Sequence, residues 1–362
     1  MTTAAPTARD SSVASLDAGG QDAPKRILMI VSSARTIDLA DGTEHETGYF
    51  IEEALVPTEH FAAAGAEVTI ATPDGRVPNV DPYGLEEIFH FPDEDEDFLA
   101  SVVRRFMPDV EDVRLTLHQI ADLDLIAARR IYEALLAAGV SSPDARELVT
   151  RAARAAWSED RKLGETILSE GLAAPLDAAA VQAAIDALAR DSKAAAEDVL
   201  ERLAAIPAFS TPVKLGELTP DQIRDFDAVF VPGGHGPMVD LVDSAQVGEI
   251  LRVLHDKGAV ISALCHGPAA LLSAAARPDG LWLFDGYRMT AFTDEEEDQT
   301  KLGLLGPPWY LETALKNAGA VFDDPGFAWT PHVVVDRNLV TGQNPRSAGA
   351  LADATLKRLE VV

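Results

Sequence analysis

Cys265 is the only cysteine in the chain, and its surroundings point directly to chemistry. It ends the apolar run AVISAL (259–264) and is followed by His266 and Gly267 before PAALL (268–272) begins. A buried strand that stops abruptly at a cysteine and resumes as a helix reads as a nucleophile elbow. Such an elbow needs small neighbours, here Ala263 and Gly267, because the turn that lifts the nucleophile is strained. A helix starting at His266 would put the thiol at its N-terminus, where unpaired N–H groups and the dipole favour thiolate and lower its pKa. A buried cysteine acting only as a small hydrophobe would not require this context. His266, next in the chain, is suited to carry protons between a sulfur-bound intermediate and water.

A second segment, PGGHGP (232–237), supplies Gly233, Gly234 and His235 on a loop after a strand. It lacks both the dinucleotide fingerprint and a Walker lysine, which leaves a carbonyl or oxyanion pocket as the reading. The backbone N–H groups of Gly234 and His266 would point at the oxygen of the carbon attacked by sulfur. His235 either lines that pocket or caps a turn. Glu86, Glu87 and His90 have helical metal-ligand spacing but read as surface. No metal and no cofactor is expected.

The elements that must position these groups alternate. KRILMIVSSA (25–34) has the unbroken apolar character of a strand buried on both faces. A helix then runs to a stop at Gly65, followed by the strand EVTIATP and a turn at Asp74-Gly75. The pattern returns with a helix at 219–226, a strand at 228–234, a helix near 244–257 and the strand leading into Cys265. Residues 333–360 read as a strand pair turning at Asp336-Arg337-Asn338, then a helix begun by Asn344, Pro345 and Ser347. This is an α/β chain. Four segments follow: a disordered tail over 1–24, a first core part over 25–92, an alanine-rich helical insertion over 93–206, and a second core part over 207–362. Within the insertion, Ser142-Pro143-Asp144 is a helix start, and Ile131, Leu135, Val181, Ile185 and Leu188 recur at helical spacing.

Composition narrows the partners. The chain of 362 residues carries 30 Lys and Arg against 59 Asp and Glu, a net charge of −29, so its field repels a phosphate backbone. Nucleic-acid binding is not expected. The single cysteine rules out an internal disulfide and fits a reducing compartment, with the cytoplasm as the default. No apolar stretch suits a signal peptide or a membrane span.

ALCHGPAALL (263–272), VFVPGGHGPMVDL (229–241) and TGYFIEEALVP (47–57) together resemble the ThiJ/PfpI superfamily. The similarity spans roughly 25–92 and 207–362 and is closest to the branch of glutathione-independent glyoxalases (glyoxalase III) and heat-inducible holding chaperones. It implies a flavodoxin-like, doubly wound and mostly parallel sheet sandwich, with the site at the carboxyl ends of the strands. It also implies that Glu53 hydrogen-bonds the cysteine sulfur and is held partly protonated. An acid in YRMTAFTDEEED (287–298) should orient His266: Glu297 by alignment, with Asp294, Glu295 and Glu296 as alternatives. Trp309 and Tyr310 belong to the core or roof the pocket.

The resulting expectation is a cysteine enzyme acting on small aldehydes, converting methylglyoxal or glyoxal to a 2-hydroxy acid such as D-lactate, or removing early glycation adducts from proteins. The alternatives are a holding chaperone for unfolded chains and a cysteine amidase. The last is disfavoured because His332 is followed by Val333 and Val334, where glutamine amidotransferases carry His-x-Glu. A homodimer is expected from the resemblance.

Overall fold

The structure, a computed structural model, describes residues 23–85, 196–298, 300–326 and 328–360, together with positions 141, 148 and 151. Seven strands form the central sheet: β1 (Arg26–Ile30), β2 (Glu67–Thr72), β3 (Val213–Lys214), β4 (Ala228–Val231), β5 (Val260–Leu264), β6 (Val333–Asp336) and β7 (Leu339–Gly342). Their order is β6-β7-β5-β4-β1-β2-β3, and every pairing is parallel except the edge pair β6-β7. This is the mostly parallel, doubly wound, flavodoxin-like sandwich.

The unbroken apolar runs follow from burial on both faces. Leu28 and Ile30 of β1 enter one core with Val229 and Val231 of β4 and Ile261 and Ala263 of β5. Ile27 and Met29 enter the other, with Ala228, Phe230, Val260 and Leu264. Successive strand side chains point to opposite faces, so a strand covered on both sides is apolar almost throughout; the exception in β5, Ser262, is buried with its hydroxyl bonded to that of Thr355 at 2.7 Å. Helix α1 (Ile51–Ala63) covers the second face together with the C-terminal helix Ala348–Leu359, through Phe61, Leu351, Ala352 and Leu359. The helices Ala245–Lys257 and Leu311–Ala318 cover the first, through Ile250, Leu251, Leu254, Leu311 and Leu315. Each fully buried Leu, Ile or Phe contributes about 2 kcal/mol.

Local signals explain most boundaries. Ser244 accepts the Val247 N–H at 3.3 Å to start its helix, and Gly258, at φ 79°, ends it with N–H bonds to the Leu254 and His255 carbonyls. Thr219 and Gln222 form a capping box ahead of Pro220–Arg224. The stretch after β1 contains a small hairpin, Thr36–Asp38 with Glu44–Glu46, where the sequence suggested only a loop. The expected helix from His266 is instead a 3-10 helix, Gly267–Ser273.

Most of the expected insertion, including Ser142-Pro143-Asp144, Ile131, Leu135, Val181, Ile185 and Leu188, lies outside the described residues, as do the first 22 residues and Glu86, Glu87 and His90. Its end, 196–204, is helical and packs Val199 against Ile51 and Leu55 of α1. No described helix is long and apolar enough to cross a membrane.

Candidate active site

β1 is the strand from which the chain winds first toward β2 and β3 and then toward β4, β5 and β7. Ligands of such sheets sit outside the carboxyl ends near that reversal. The loop after β4 carries Gly233, Gly234 and His235, and the turn after β5 carries Cys265 and His266, so both motifs fall at neighbouring strand ends.

Cys265 has φ 58°, the left-handed region that a side chain occupies at a cost of about 1–2 kcal/mol. Hydrogen bonds hold the turn on both sides: its N–H donates to Gly342 O at 2.9 Å and its carbonyl accepts the Phe292 N–H at 2.9 Å. The elbow read from the sequence is present. Gly267 packs behind it, where a Cβ would lie 2.2 Å from Val231 O, and does not line the pocket.

Glu53 is brought to the sulfur by backbone contact between two loops. Phe50, just before α1, donates its N–H to Gly233 O at 3.1 Å, and Gly236 donates to Gly48 O at 3.0 Å. The fit requires glycine. A Cβ on Gly233 would lie 2.7 Å from both Glu53 Oε2 and His266 N, and Gly234, at φ 83°, would place one 2.5 Å from Gly48 O. Glu53 is fully buried; Oε2 accepts the Gly233 N–H at 2.7 Å, and Oε1 has no nitrogen or oxygen partner. Burial pushes its carboxyl up to about 8, with a hydrogen bond to Cys265 and the Gly233 N–H opposing. A protonated Glu53 can therefore donate to sulfur. Glu52, its neighbour, is only partly buried.

Glu297 is the acid that reaches the imidazole. Thr293 and Glu296 form a capping box at the start of the short helix Asp294–Glu297, which turns Glu296 back on the helix and leaves Glu297 facing His266. Asp294 bonds Thr313, and Glu295 is exposed. Glu297 Oε2 lies 2.6 Å from His266 Nε2 and Oε1 lies 3.0 Å from His235 Nε2. Burial alone would raise its carboxyl, but His235 and His266 outweigh that and hold it well below the usual range. Since His266 Nε2 must carry the proton toward a carboxylate, Nδ1 is left as an acceptor, 3.3 Å from Cys265 Sγ.

The expected depression of the thiol pKa does not occur. Burial pushes the Cys265 thiol up, the nearby Glu53 adds to it, and the Gly234 N–H pulls the other way. A 3-10 turn and its dipole are too small to reverse the loss of solvation. The sulfur rests as a thiol, 3.3 Å from an acceptor, His266 Nδ1, and beside the buried Glu53 carboxyl.

A small pocket lies over the sulfur, and Phe50, Asp81, Gly234, His235, Phe292, Thr300, Trp329 and Pro345 join Cys265 and His266 around it. Trp329 and Phe292 pack edge to face at 5.4 Å and form an apolar wall. Neither was singled out in the sequence, nor were Asp81 and Thr300. Glu296 Oε1 accepts the Trp329 N–H, the Gln343 amide and the Asn344 amide at 2.7–2.9 Å, tying that wall to the end of β7. Trp309 and Tyr310 are not in the pocket; Trp309 packs on the core and Tyr310 bonds Asp298. His332 is bonded to Asp323, away from the sulfur. Among the described residues, His235, His266 and Glu297 are the group whose ligand-type atoms come within 4.8 Å of one another, and their N–H···carboxylate bonds make them a hydrogen-bonded chain.

Fold and site together define a doubly wound α/β protein with a cysteine on a nucleophile elbow. Residues 209–358 match the family model described as DJ-1/PfpI. Glyoxalase 3 of Candida albicans is 32% identical over 150 residues, 41% of this chain and 62% of that protein. Protein/nucleic acid deglycase HchA of Pseudomonas aeruginosa is 33% identical over 163 residues, 42% of this chain and 55% of that one. The chain thus spans less than two thirds of the length of these curated relatives. The crystal structure of glyoxalase III from Candida albicans shares the fold, with a TM-score of 0.52 at 20% identity, covering 92% of this chain and 97% of that one.

Proposed function

We propose that this protein is a glutathione-independent glyoxalase that converts small 2-oxoaldehydes to 2-hydroxy acids through a thioester on Cys265. The observation that carries the reading is the placement of Cys265 Sγ between His266 Nδ1, at 3.3 Å, and the raised carboxyl of Glu53. One group accepts the thiol proton while the other can donate to a carbonyl oxygen.

With methylglyoxal, sulfur bonds to the aldehyde carbon as the thiol proton passes to His266, and Glu53 protonates the aldehyde oxygen to give a hemithioacetal. Glu53, now a carboxylate, removes the hydrogen on that carbon, and His266 protonates the neighbouring oxygen to form an enediol. Return of the Glu53 proton to the second carbon, with loss of the first hydroxyl proton to His266, leaves a lactoyl thioester. Water then adds to the thioester as it gives a proton to the Glu53 carboxylate, and His266 returns its proton to the departing sulfur, so lactic acid leaves with the thiol, His266 and Glu53 all restored. Atoms balance as aldehyde plus water. No oxidant or reductant enters.

The pocket wall supports a small neutral substrate. Phe50, Phe292, Trp329 and Pro345 are apolar, and among the described residues no Lys or Arg lines it, so a phosphate or carboxylate would meet only His235, already paired with Glu297, and the acid Asp81. The name of the HchA relative favours a second substrate, the early adduct of such an aldehyde on a protein. Cys265 is 2% exposed, which fits the free aldehyde better.

The test is lactate formation from methylglyoxal by purified protein without glutathione and with a metal chelator present. Turnover in the wild type that is lost in Cys265→Ala supports the reading. Folded wild type without turnover, or turnover that survives in Cys265→Ala, defeats it.

A further inference from the structure

Glu297 has two oxygens, and each holds an imidazole. His266 Nε2 sits 2.6 Å from Oε2; His235 Nε2 sits 3.0 Å from Oε1, which also accepts the Thr300 hydroxyl at 3.0 Å. The two rings lie against each other, their centroids 4.3 Å apart, and all three residues are buried. One carboxylate in a space closed to water supports one imidazolium beside it. A second would be repelled by the first at close range.

The charge falls on His235. Besides Glu297, it faces Asp81 from the loop after β2 and Glu53 from α1, whereas His266 faces the Cys265 sulfur and the Phe292 ring at 4.5 Å. Burial opposes charge on both rings. At His235, Glu297, Asp81 and Glu53 outweigh it and hold the ring above its usual range; at His266, burial together with charged His235 pushes the ring down to about 4 despite Glu297.

We infer that His235 is a positioning residue of the Cys265 site: as an imidazolium on the outer oxygen of Glu297, it keeps His266 neutral, with Nδ1 open to take the thiol proton. Without His235, the Glu297 carboxylate has only His266 to neutralise it and draws a proton onto Nδ1. The base is then already occupied. This rests on the proposed role of His266 as proton acceptor, and it accounts for a histidine in a loop where the sequence left a turn cap equally open.

The test is an NMR titration of the histidine rings in wild type and His235→Gln, with His266 assigned from His266→Asn. Gln keeps an N–H donor for Glu297 and removes the charge. In wild type His235 titrates at higher pH than His266. In His235→Gln the His266 midpoint rises by about one pH unit or more, and the acid limb of kcat/KM moves with it, so turnover below the wild-type His266 midpoint of about 4 falls by up to roughly tenfold while turnover near neutrality changes little. A purely structural role lowers turnover at every pH alike. An unchanged His266 midpoint in folded His235→Gln overturns the inference, as does a wild type in which His235 titrates below His266; the second result stands even if the variant does not fold. The midpoints are read without substrate, so failure of methylglyoxal turnover strikes the proposed function and leaves this inference to its own result.

Discussion

Replacing Glu53 by Gln is expected to stabilise the protein while removing its activity, with a gain that depends on pH. Glu53 is wholly buried, and its carboxyl rises from 4.5 in the unfolded chain to about 8 in the fold. Between those values the folded state holds a proton that the unfolded state has released. Stability from this group is complete below pH 4.5, falls by about 1.4 kcal/mol per pH unit above it, and is gone above pH 8. At neutral pH the loss amounts to about 3 kcal/mol. Gln is neutral at every pH and presents an N–H where the protonated acid presents an O–H. Its second N–H, left without a partner, takes back about 1 kcal/mol. The net gain is about 2 kcal/mol, or roughly 4 to 8 °C in Tm. Calorimetric or urea unfolding of both proteins near pH 5, 7 and 8, under reducing conditions, gives the difference directly. It should be small at the acid end and grow with pH. A difference that ignores pH, or a variant less stable than wild type at neutrality, refutes the reasoning.

Gly233→Ala sets a methyl group 2.7 Å from Glu53 Oε2 and His266 N; we expect a loss of about 1–3 kcal/mol in unfolding assays and turnover reduced at least about a hundredfold. Glu296→Ala leaves the Trp329 N–H and two buried side-chain amides without their acceptor, so thermal unfolding should show a loss of about 3 kcal/mol. Glu297→Gln keeps the shape and removes the charge that orients both imidazoles. Steady-state kinetics should show kcat down by roughly 10²- to 10⁴-fold with KM changed little.

The parts legible in the sequence are those fixed by neighbours in the chain or by two-sided burial. β1, β4 and β5 were readable because strands covered on both faces are apolar at nearly every position. The Cys265 elbow was readable because strain demands small residues on either side. The choice among Asp294, Glu295, Glu296 and Glu297 left open by the sequence was in principle decidable. Thr293 followed three residues later by Glu296 is a capping box, which commits Glu296 to the helix start and leaves Glu297 for the imidazole. What could not be read depends on distant contacts. The pocket walls Phe50, Asp81, Phe292, Thr300 and Trp329 come from separate segments with no shared local pattern. The raised thiol pKa arises from burial beside Glu53, a residue on α1, and outweighs the dipole that local sequence suggested. Whether Gly267–Ser273 closes three- or four-residue turns was likewise beyond a pattern of small apolar residues.

The central claim is that a covalent intermediate forms on Cys265, and the single cysteine of the chain makes its location unambiguous. Mass spectrometry of Glu53→Gln, acid-quenched during reaction with methylglyoxal and digested, should show one added methylglyoxal on the peptide that contains Cys265, because in that variant His266 can hand the thiol proton on to the aldehyde oxygen while no carboxylate is left to remove the hydrogen from carbon. No adduct under conditions where wild type turns over, or an adduct of the same yield in Cys265→Ala, would contradict the account.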